Sequence, residues 1–145
     1  MGKTVNDLMT DRFIKINEVD PIYEAATRIT ESKERMIACV VDRDDKLIGI
    51  ITPREILKAV EVRWLETVSY PLFGPEVLHI LTSRYARDIM SAPLSVRAGG
   101  KLEEAIKIML DEELYEVPVV DSKGRVIGEI SYFNIISAAI NHLKE

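Results

Sequence analysis

Residues 40–57 read VVDRDDKLIGIITPREIL, and residues 119–136 read VVDSKGRVIGEISYFNII. At an offset of 79 residues the two stretches share seven identities in eighteen columns. Unrelated stretches of ordinary composition would share about one. Conservative exchanges, such as Lys46 with Arg125 and Leu47 with Val126, fill further columns. The chain therefore contains an internal duplication.

Each copy lies within a longer series of predicted elements. A four-residue segment, FIKI at 13–16, alternates like a short strand, and Asp20 followed by Pro21 predicts the capped start of an amphipathic helix. MIACVV (36–41) and LIGII (47–51) flank a polar turn and predict a hairpin, after which a second helix begins at Thr52. The order is strand, helix, strand, strand, helix.

The second copy repeats this series. Its short strand is predicted at 94–96, and Gly124 occupies the hairpin turn at a point that favours positive φ. A repeat of about 60 residues would be only marginally stable alone, so the two repeats are expected to cover each other. We predict an α/β fold of two β-α-β-β-α repeats, related by a pseudo-twofold axis and packed through their sheets. The first repeat is placed at 1–66, a linker with a short helix at 67–84 and the second repeat at 85–145.

Composition and charge exclude several classes of protein. A net charge of −5 offers no basic field for phosphates, so nucleic-acid binding is disfavoured. No apolar run approaches the ~20 residues of a membrane span, and MGKTVNDLMT lacks the apolar core of a signal peptide. We therefore expect a cytoplasmic protein without a membrane partner. Cys39 lies in an apolar run and is predicted to be a buried small hydrophobe.

The residues with catalytic potential form no recognisable constellation. His79 and His142 belong to no triad or metal-ligand spacing. Asp42, Asp44 and Asp45 cluster in a turn, but the Gly and Glu of a calcium loop are missing. We therefore predict a protein that is not an enzyme, with no catalytic residue, no metal site and no required cofactor.

The two repeats share a further pattern. Each opens with a related element, NDLMT at 6–10 or RDIMS at 87–91, and continues with VVD, a turn, IG and a capping Thr or Ser. In this pattern the chain resembles a tandem pair of CBS domains, or Bateman module, over nearly its whole length. The resemblance implies a regulatory module that binds AMP, ADP, ATP or S-adenosylmethionine in clefts between the repeats and controls an unidentified partner protein. It also implies a homodimer.

The resemblance extends to individual site residues. It implies that the capping Ser or Thr lies near the phosphate or ribose, and that an acid three residues later, usually Asp, holds the ribose diol. The corresponding pairs are Thr52 with Glu55 and Ser131 with Asn134, so both acid positions depart from the usual Asp. The remaining ligand-binding positions implied by the resemblance are Thr10, Asp11, Ile14, Arg35, Met36, Ile37, Pro93, Leu94, Tyr115 and Glu116. Arg54 and Phe133 are added because of their places in the first turns of the two helices.

Several of these residues have a structural alternative. Thr52 and Glu55 also form a capping box, which competes with a ribose for the same carboxylate. Arg54 adds a positive charge beside the helix N-terminus, so the first repeat has the better anion site. Phe133, in the equivalent position, would stack on a base or pack on a helix face. Arg35 is either a ligand contact or a solvated charge at a helix end.

A second function is compatible with the same residues. If the altered acid positions mean that the clefts are vestigial, the chain is a ligand-free dimerisation or interaction domain. Its apolar surface would then include Trp64, Leu65 and residues 70–73.

Overall fold

The computed structural model describes residues 3–33, 35–68 and 84–144. The predicted linker helix, residues 70–73 and the side chains of Trp64 and Leu65 lie outside the described part of the chain. The first half contains α1 (Val5–Leu8), β1 (Ile14–Asn17), α2 (Ile22–Ser32), β2 (Ala38–Val41), β3 (Leu47–Ile51) and α3 (Pro53–Val68). The second contains α4 (Ala86–Ile89), β4 (Val96–Arg97), α5 (Leu102–Asp111), β5 (Glu116–Val120), β6 (Val126–Ser131) and α6 (Tyr132–Leu143).

Each half forms a three-stranded sheet of the same topology. β1 pairs parallel with β2, which pairs antiparallel with β3, and β4, β5 and β6 repeat this arrangement. The hairpin register shifts at equivalent steps, Val40/Val41 and Val119/Val120. This agreement confirms the predicted fold class. None of the helices within the described ranges has the length and apolar character of a membrane span.

Two local boundaries differ from the sequence prediction. Asp20 does not cap α2, because its Oδ2 accepts a hydrogen bond from Asn17 N at 2.9 Å and so closes the turn after β1. Pro21 is the N-cap residue instead, in an extended conformation. The short strand predicted at 94–96 forms at Val96–Arg97, where β4 pairs with β5.

The two hairpin turns meet each other. Leu47 N donates to the Gly124 carbonyl at 3.0 Å, and Val126 N donates to the Asp45 carbonyl at 3.4 Å. Gly124 has φ of 80°, which confirms the predicted positive φ, and Asp45 holds the equivalent position with φ of 63°. The contact is reciprocal, as a pseudo-twofold relation between the halves requires.

Three apolar clusters make up the interior. One lies on the first sheet around Ile16 and Val40, and one lies on the second sheet around Val117 and Val119. The third joins the two sheets through the buried residues Ile37, Cys39, Val41, Ile50, Val120 and Val126. The prediction that the cysteine is buried is therefore confirmed, and the sheets cover each other.

The opening segments of the two halves are exchanged. Val5 of α1 lies in the cluster of the second sheet, and Ala86 of α4 lies in the cluster of the first. Backbone hydrogen bonds join Thr10 to Glu129 at 2.9 and 3.0 Å, and Ser91 to Ile50 at 2.9 and 3.1 Å. Each sheet is therefore completed by a segment from the other half.

Two equivalent glycines permit this exchange. A β-carbon on Gly128 would overlap the backbone oxygen of Thr10 and the Met9 side chain, and one on Gly49 would overlap the Met90 side chain. Both glycines belong to the repeated IG pattern, so the close crossing of the exchanged segments explains why each repeat has glycine there.

Candidate ligand-binding clefts

The first cleft is an open cavity of about 850 Å³ at the start of α3. This volume lies within the range of small-molecule sites. Both halves of the chain contribute to its lining, which consists of Met36, Ile37, Ile50, Thr52, Pro53, Arg54, Glu55, Leu57, Lys58, Ser91, Ala92, Leu94, Glu112, Glu113, Leu114 and Tyr115. The cleft thus combines apolar strand residues with the polar first turn of a helix.

Thr52 and Glu55 cap α3, and the Glu55 half of the predicted capping box is present, whereas the Thr52 hydroxyl accepts from Arg54 N. Glu55 Oε1 accepts hydrogen bonds from Thr52 N at 2.8 Å and from Thr52 Oγ1 at 2.7 Å, while Arg54 N donates to Thr52 Oγ1 at 3.2 Å. Glu55 Oε2 has no hydrogen-bond partner among the described residues. Capping therefore uses one oxygen of Glu55 and leaves the other for the cleft.

The charges along the first cleft are mixed. Arg54 and Lys58 are exposed on α3, whose free N–H groups and dipole favour an anion at this end. Glu112 and Glu113, after α5, bring negative charge to the same cavity. The cleft is therefore suited to a ligand of low net charge with one anionic group.

The second cleft is defined by the positions equivalent to those of the first. Ser131 stands for Thr52, and Asn134 stands for Glu55. Asn134 Oδ1 accepts from Ser131 N at 2.8 Å and from Ser131 Oγ at 3.0 Å, so the cap at the start of α6 is built in the same way. Phe133 takes the place of Arg54, and this residue is 78% exposed. The ring is therefore not packed on a helix face, and stacking on a base stays a prediction.

Two buried acids distinguish the second cleft. Glu116 and Glu129 replace Ile37 and Ile50, and they are 2% and 0% exposed. Glu116 Oε1 accepts hydrogen bonds from Met36 N at 2.6 Å and Ile37 N at 2.7 Å. Arg35, in the position of Leu114, places Nε 3.0 Å from Glu129 Oε1. Arg35 is thus partly buried in an ion pair, which neither sequence alternative for it described.

Burial raises the pKa of both acids. Desolvation raises the pKa of Glu129 to about 9, with a further upward effect of the Glu116 charge that Arg35 opposes. Desolvation also raises the pKa of Glu116, but the Met36 and Ile37 N–H groups favour its charged form. Two close carboxyls share protons as a pair. At neutral pH the pair therefore holds one proton and one negative charge between its two carboxyl groups, and Arg35 lies beside that charge.

The sequence-predicted ligand residues separate into groups. The first cleft brings together Met36, Ile37, Thr52, Arg54, Glu55, Leu94 and Tyr115. Outside its lining are Thr10, Asp11, Ile14, Arg35, Pro93, Glu116, Ser131, Phe133 and Asn134. Of these, Ile14 lies in the cluster of the first sheet and lines, together with Arg35, a smaller cavity of about 370 Å³. Thr10, Arg35, Glu116, Ser131 and Asn134 meet at the second cleft.

Sequence reasoning missed several residues. Lys58, Glu112 and Glu113 line the first cleft without belonging to any motif. Glu129 could have been found, because it is an acid in the apolar strand VIGEI where the first repeat has Ile50. Within the described ranges, no three His, Cys, Asp or Glu side chains are grouped so that they could hold a metal ion.

A family-wide comparison matches both halves of the chain. The model of the CBS domain matches residues 5–62 and 86–141. The chain belongs to the CBS domain family. Its two CBS matches include the strands and helices that frame both clefts, and they begin with the exchanged segments α1 and α4.

Solved structures of CBS proteins share the overall fold. CBSX2 of Arabidopsis thaliana, solved in complex with AMP, has a TM-score of 0.74 and 26% identity, covering 99% of this chain and 100% of that one. A CBS domain-containing protein of Thermotoga maritima has a TM-score of 0.75 and 29% identity, with 94% of each chain covered. The CBS pair therefore accounts for the fold as a whole.

Two of the curated relatives are longer than this chain. The chloroplastic protein CBSX1 of Arabidopsis thaliana is 27% identical over 157 residues, a match that covers 94% of this chain and 64% of the relative. An uncharacterised protein of Methanopyrus kandleri is 33% identical over 98 residues, which cover 67% of this chain and 43% of the relative. The chain thus spans less than two thirds of the length of these relatives.

Proposed function

We propose that this chain is a regulatory module that binds an adenosine-containing ligand in the first cleft and transmits its presence to a partner protein. The observation that carries the proposal is the Thr52–Glu55 box, which opens a 16-residue helix at the wall of an 850 Å³ cavity. CBSX2, which has the same fold at 26% identity, was solved with AMP. A nucleoside monophosphate carries one anionic group on an otherwise uncharged molecule, which matches the mixed charges of this cavity.

The polar residues of the first cleft suggest a division of roles. A phosphate at the start of α3 would be met by Thr52 Oγ1, the helix N–H groups and the Arg54 guanidinium. The unpartnered Glu55 Oε2 is free to accept from a ribose hydroxyl. The base would then contact apolar lining residues such as Met36 and Leu94.

The net charge of the cleft favours AMP among the candidate ligands. Arg54 and Lys58 can neutralise one phosphate, but Glu112 and Glu113 would repel the additional charges of ADP and ATP. S-adenosylmethionine is second in order, because its positive charge suits those acids. We therefore expect binding in the order AMP, S-adenosylmethionine, ADP, ATP.

A thermal-shift series with these four ligands tests the proposal. At a hundredfold excess over Kd, a bound ligand stabilises the fold by about 2.7 kcal/mol, which raises Tm by several degrees. Inorganic phosphate and free ribose serve as matched controls for the separate parts of the ligand. A Tm unchanged by all four adenosine compounds would overturn the proposal.

Association of two copies is a second candidate function, favoured by the exposed face of α6. Phe133, Ile136, Ile140 and Leu143 recur at intervals of three and four residues and are 46–82% exposed. Leu57 and Val60 of α3 are also exposed, at 66% and 49%. Light scattering should show a dimer that Ile140→Glu converts to a monomer, whereas a monomeric parent chain would exclude this function.

A further inference from the structure

The two clefts have diverged at three equivalent positions. The first cleft has Ile37, Ile50 and Leu114, all apolar, where the second has Glu116, Glu129 and Arg35. The substitutions are complementary, since they introduce two acids and one base at the same place. Two acids and one base that appear together can compensate one another's charge inside the protein.

The contacts within the second cleft support this view. Glu129 is fully buried, and its two oxygens have no well-formed hydrogen bond among the described residues. Arg35 Nε, 3.0 Å away, supplies the compensating charge, and the Arg35 side chain is only 16% exposed. Removing the guanidinium would leave the negative charge of the Glu116–Glu129 pair buried without a compensating cation, which is costly.

Glu116 fixes the backbone on the other side. Its Oε1 binds the N–H groups of both Met36 and Ile37, which immediately follow Arg35 in the chain. The segment that carries Arg35 is therefore held against the second cleft by two short hydrogen bonds. The equivalent residue in the first cleft, Ile37, has no side-chain acceptor and leaves its cleft open.

We infer that Arg35 fills the second cleft from within, so that the chain binds one nucleotide, in the first cleft. A phosphate entering the second cleft would have to displace the guanidinium and would then face two buried carboxyl groups. Phe133, which replaces Arg54, offers that phosphate no charge. The predicted count of one ligand rests on the proposed function, whereas the closure of the second cleft rests on the contacts of Arg35 alone.

Calorimetric titration of the full chain with AMP tests the count. We expect one AMP per chain. Two AMP molecules per chain would overturn the inference while supporting the proposed function. No binding would overturn the proposed function, and closure of the second cleft would then be decided by the stability measurement that follows.

A double-mutant cycle tests the closure without any ligand. We expect Arg35→Met to lower Tm, and Glu129→Gln to suppress most of that loss, because the variant leaves one buried carboxylate, Glu116, that the Met36 and Ile37 N–H groups already stabilise. Leu114→Met, at the equivalent position of the first cleft, and Arg54→Met, an exposed arginine, are controls that should leave Tm within about 2 °C. Strictly additive effects of the Arg35 and Glu129 substitutions would overturn the inference.

Discussion

The two clefts share a framework and differ in their chemistry. In each cleft a capped helix starts at the wall, and a glycine in the preceding strand leaves room for the exchanged segment. Both clefts lie where the two sheets meet. The first remains an open cavity, whereas the second contains Arg35 and two buried acids. Duplication has therefore preserved the residues that build the fold, while the residues that point into the clefts have changed.

The largest effect is expected in the pH dependence of stability, because among the described residues only the second cleft contains buried acids. Glu129 has a folded-state pKa of about 9 against its usual 4.5, so the folded chain retains a proton that the unfolded chain releases. Stability must therefore fall as pH rises from about 5 to 9, by up to about 1.4 kcal/mol per pH unit from this group. Arg35, Glu116 and the buried Cys39 thiol are the other ionisable groups beside it.

Urea unfolding of the parent chain and Glu129→Gln at pH 5.5, 7 and 8.5 measures this dependence. The variant should lose much of the fall in stability, whereas Glu103→Gln, on an exposed turn of α5, should follow the parent chain. Parallel stability curves for all three proteins would show that Glu129 binds no extra proton in the fold.

The next largest effect on stability is expected at the two glycines where the exchanged segments cross the sheets. Gly128→Ala places a methyl group against the Thr10 backbone oxygen, which cannot move without disturbing its hydrogen bonds with Glu129. We expect a loss of about 3 kcal/mol, at the upper end for overpacking. Gly49→Ala meets only the flexible Met90 side chain and should cost about 1 kcal/mol. Chemical denaturation compares them, and equal losses would contradict the difference in packing.

Ligand affinity should distinguish the two helix starts. Arg54→Ala removes the charge beside the proposed phosphate and should raise the Kd of AMP about tenfold, or about 1.4 kcal/mol. Phe133→Ala, at the equivalent position of α6, should change that Kd by less than about twofold. Titration calorimetry measures both, and a larger effect of Phe133→Ala would assign the ligand to the second cleft.

The hairpin turns should give the smallest effect. Gly124→Ala forces a side chain into the left-handed region at φ of 80° and should cost about 1 kcal/mol. Asp45→Gly relieves a milder strain but loses the exposed ion pair with Lys15 at 3.3 Å, so its net effect should stay within about 0.5 kcal/mol. Thermal unfolding of both variants checks the comparison. A neutral Gly124→Ala would mean that this turn tolerates β-carbons.

The sequence was sufficient to predict the fold because the duplicated residues are the structural ones. Paired VVD and IG segments indicated both hairpins, and Thr52 with Glu55 indicated a helix cap that the hydrogen bonds confirm. Asp20 was assigned to the wrong role, since an aspartate between a strand and a helix can bond backwards as well as forwards.

The sites were harder to predict because they depend on which segments meet. The resemblance named Arg35 and Glu116 as ligand residues, and the sequence placed both at the entry to a central strand. Only the packing shows that they bind the protein itself, one through Glu129 and the other through the Met36 and Ile37 backbone. Residues 36 and 115 face the first cleft together although 79 positions separate them.

The exchange of α1 and α4 has a consequence during biosynthesis. α1 is translated before β4, β5 and β6, yet its apolar residue Val5 lies among side chains of those strands. Thr10 likewise forms its backbone hydrogen bonds with Glu129, which is translated more than a hundred codons later. A native core therefore cannot close around α1 until β6 has been translated, and the two repeats should fold together as one cooperative unit.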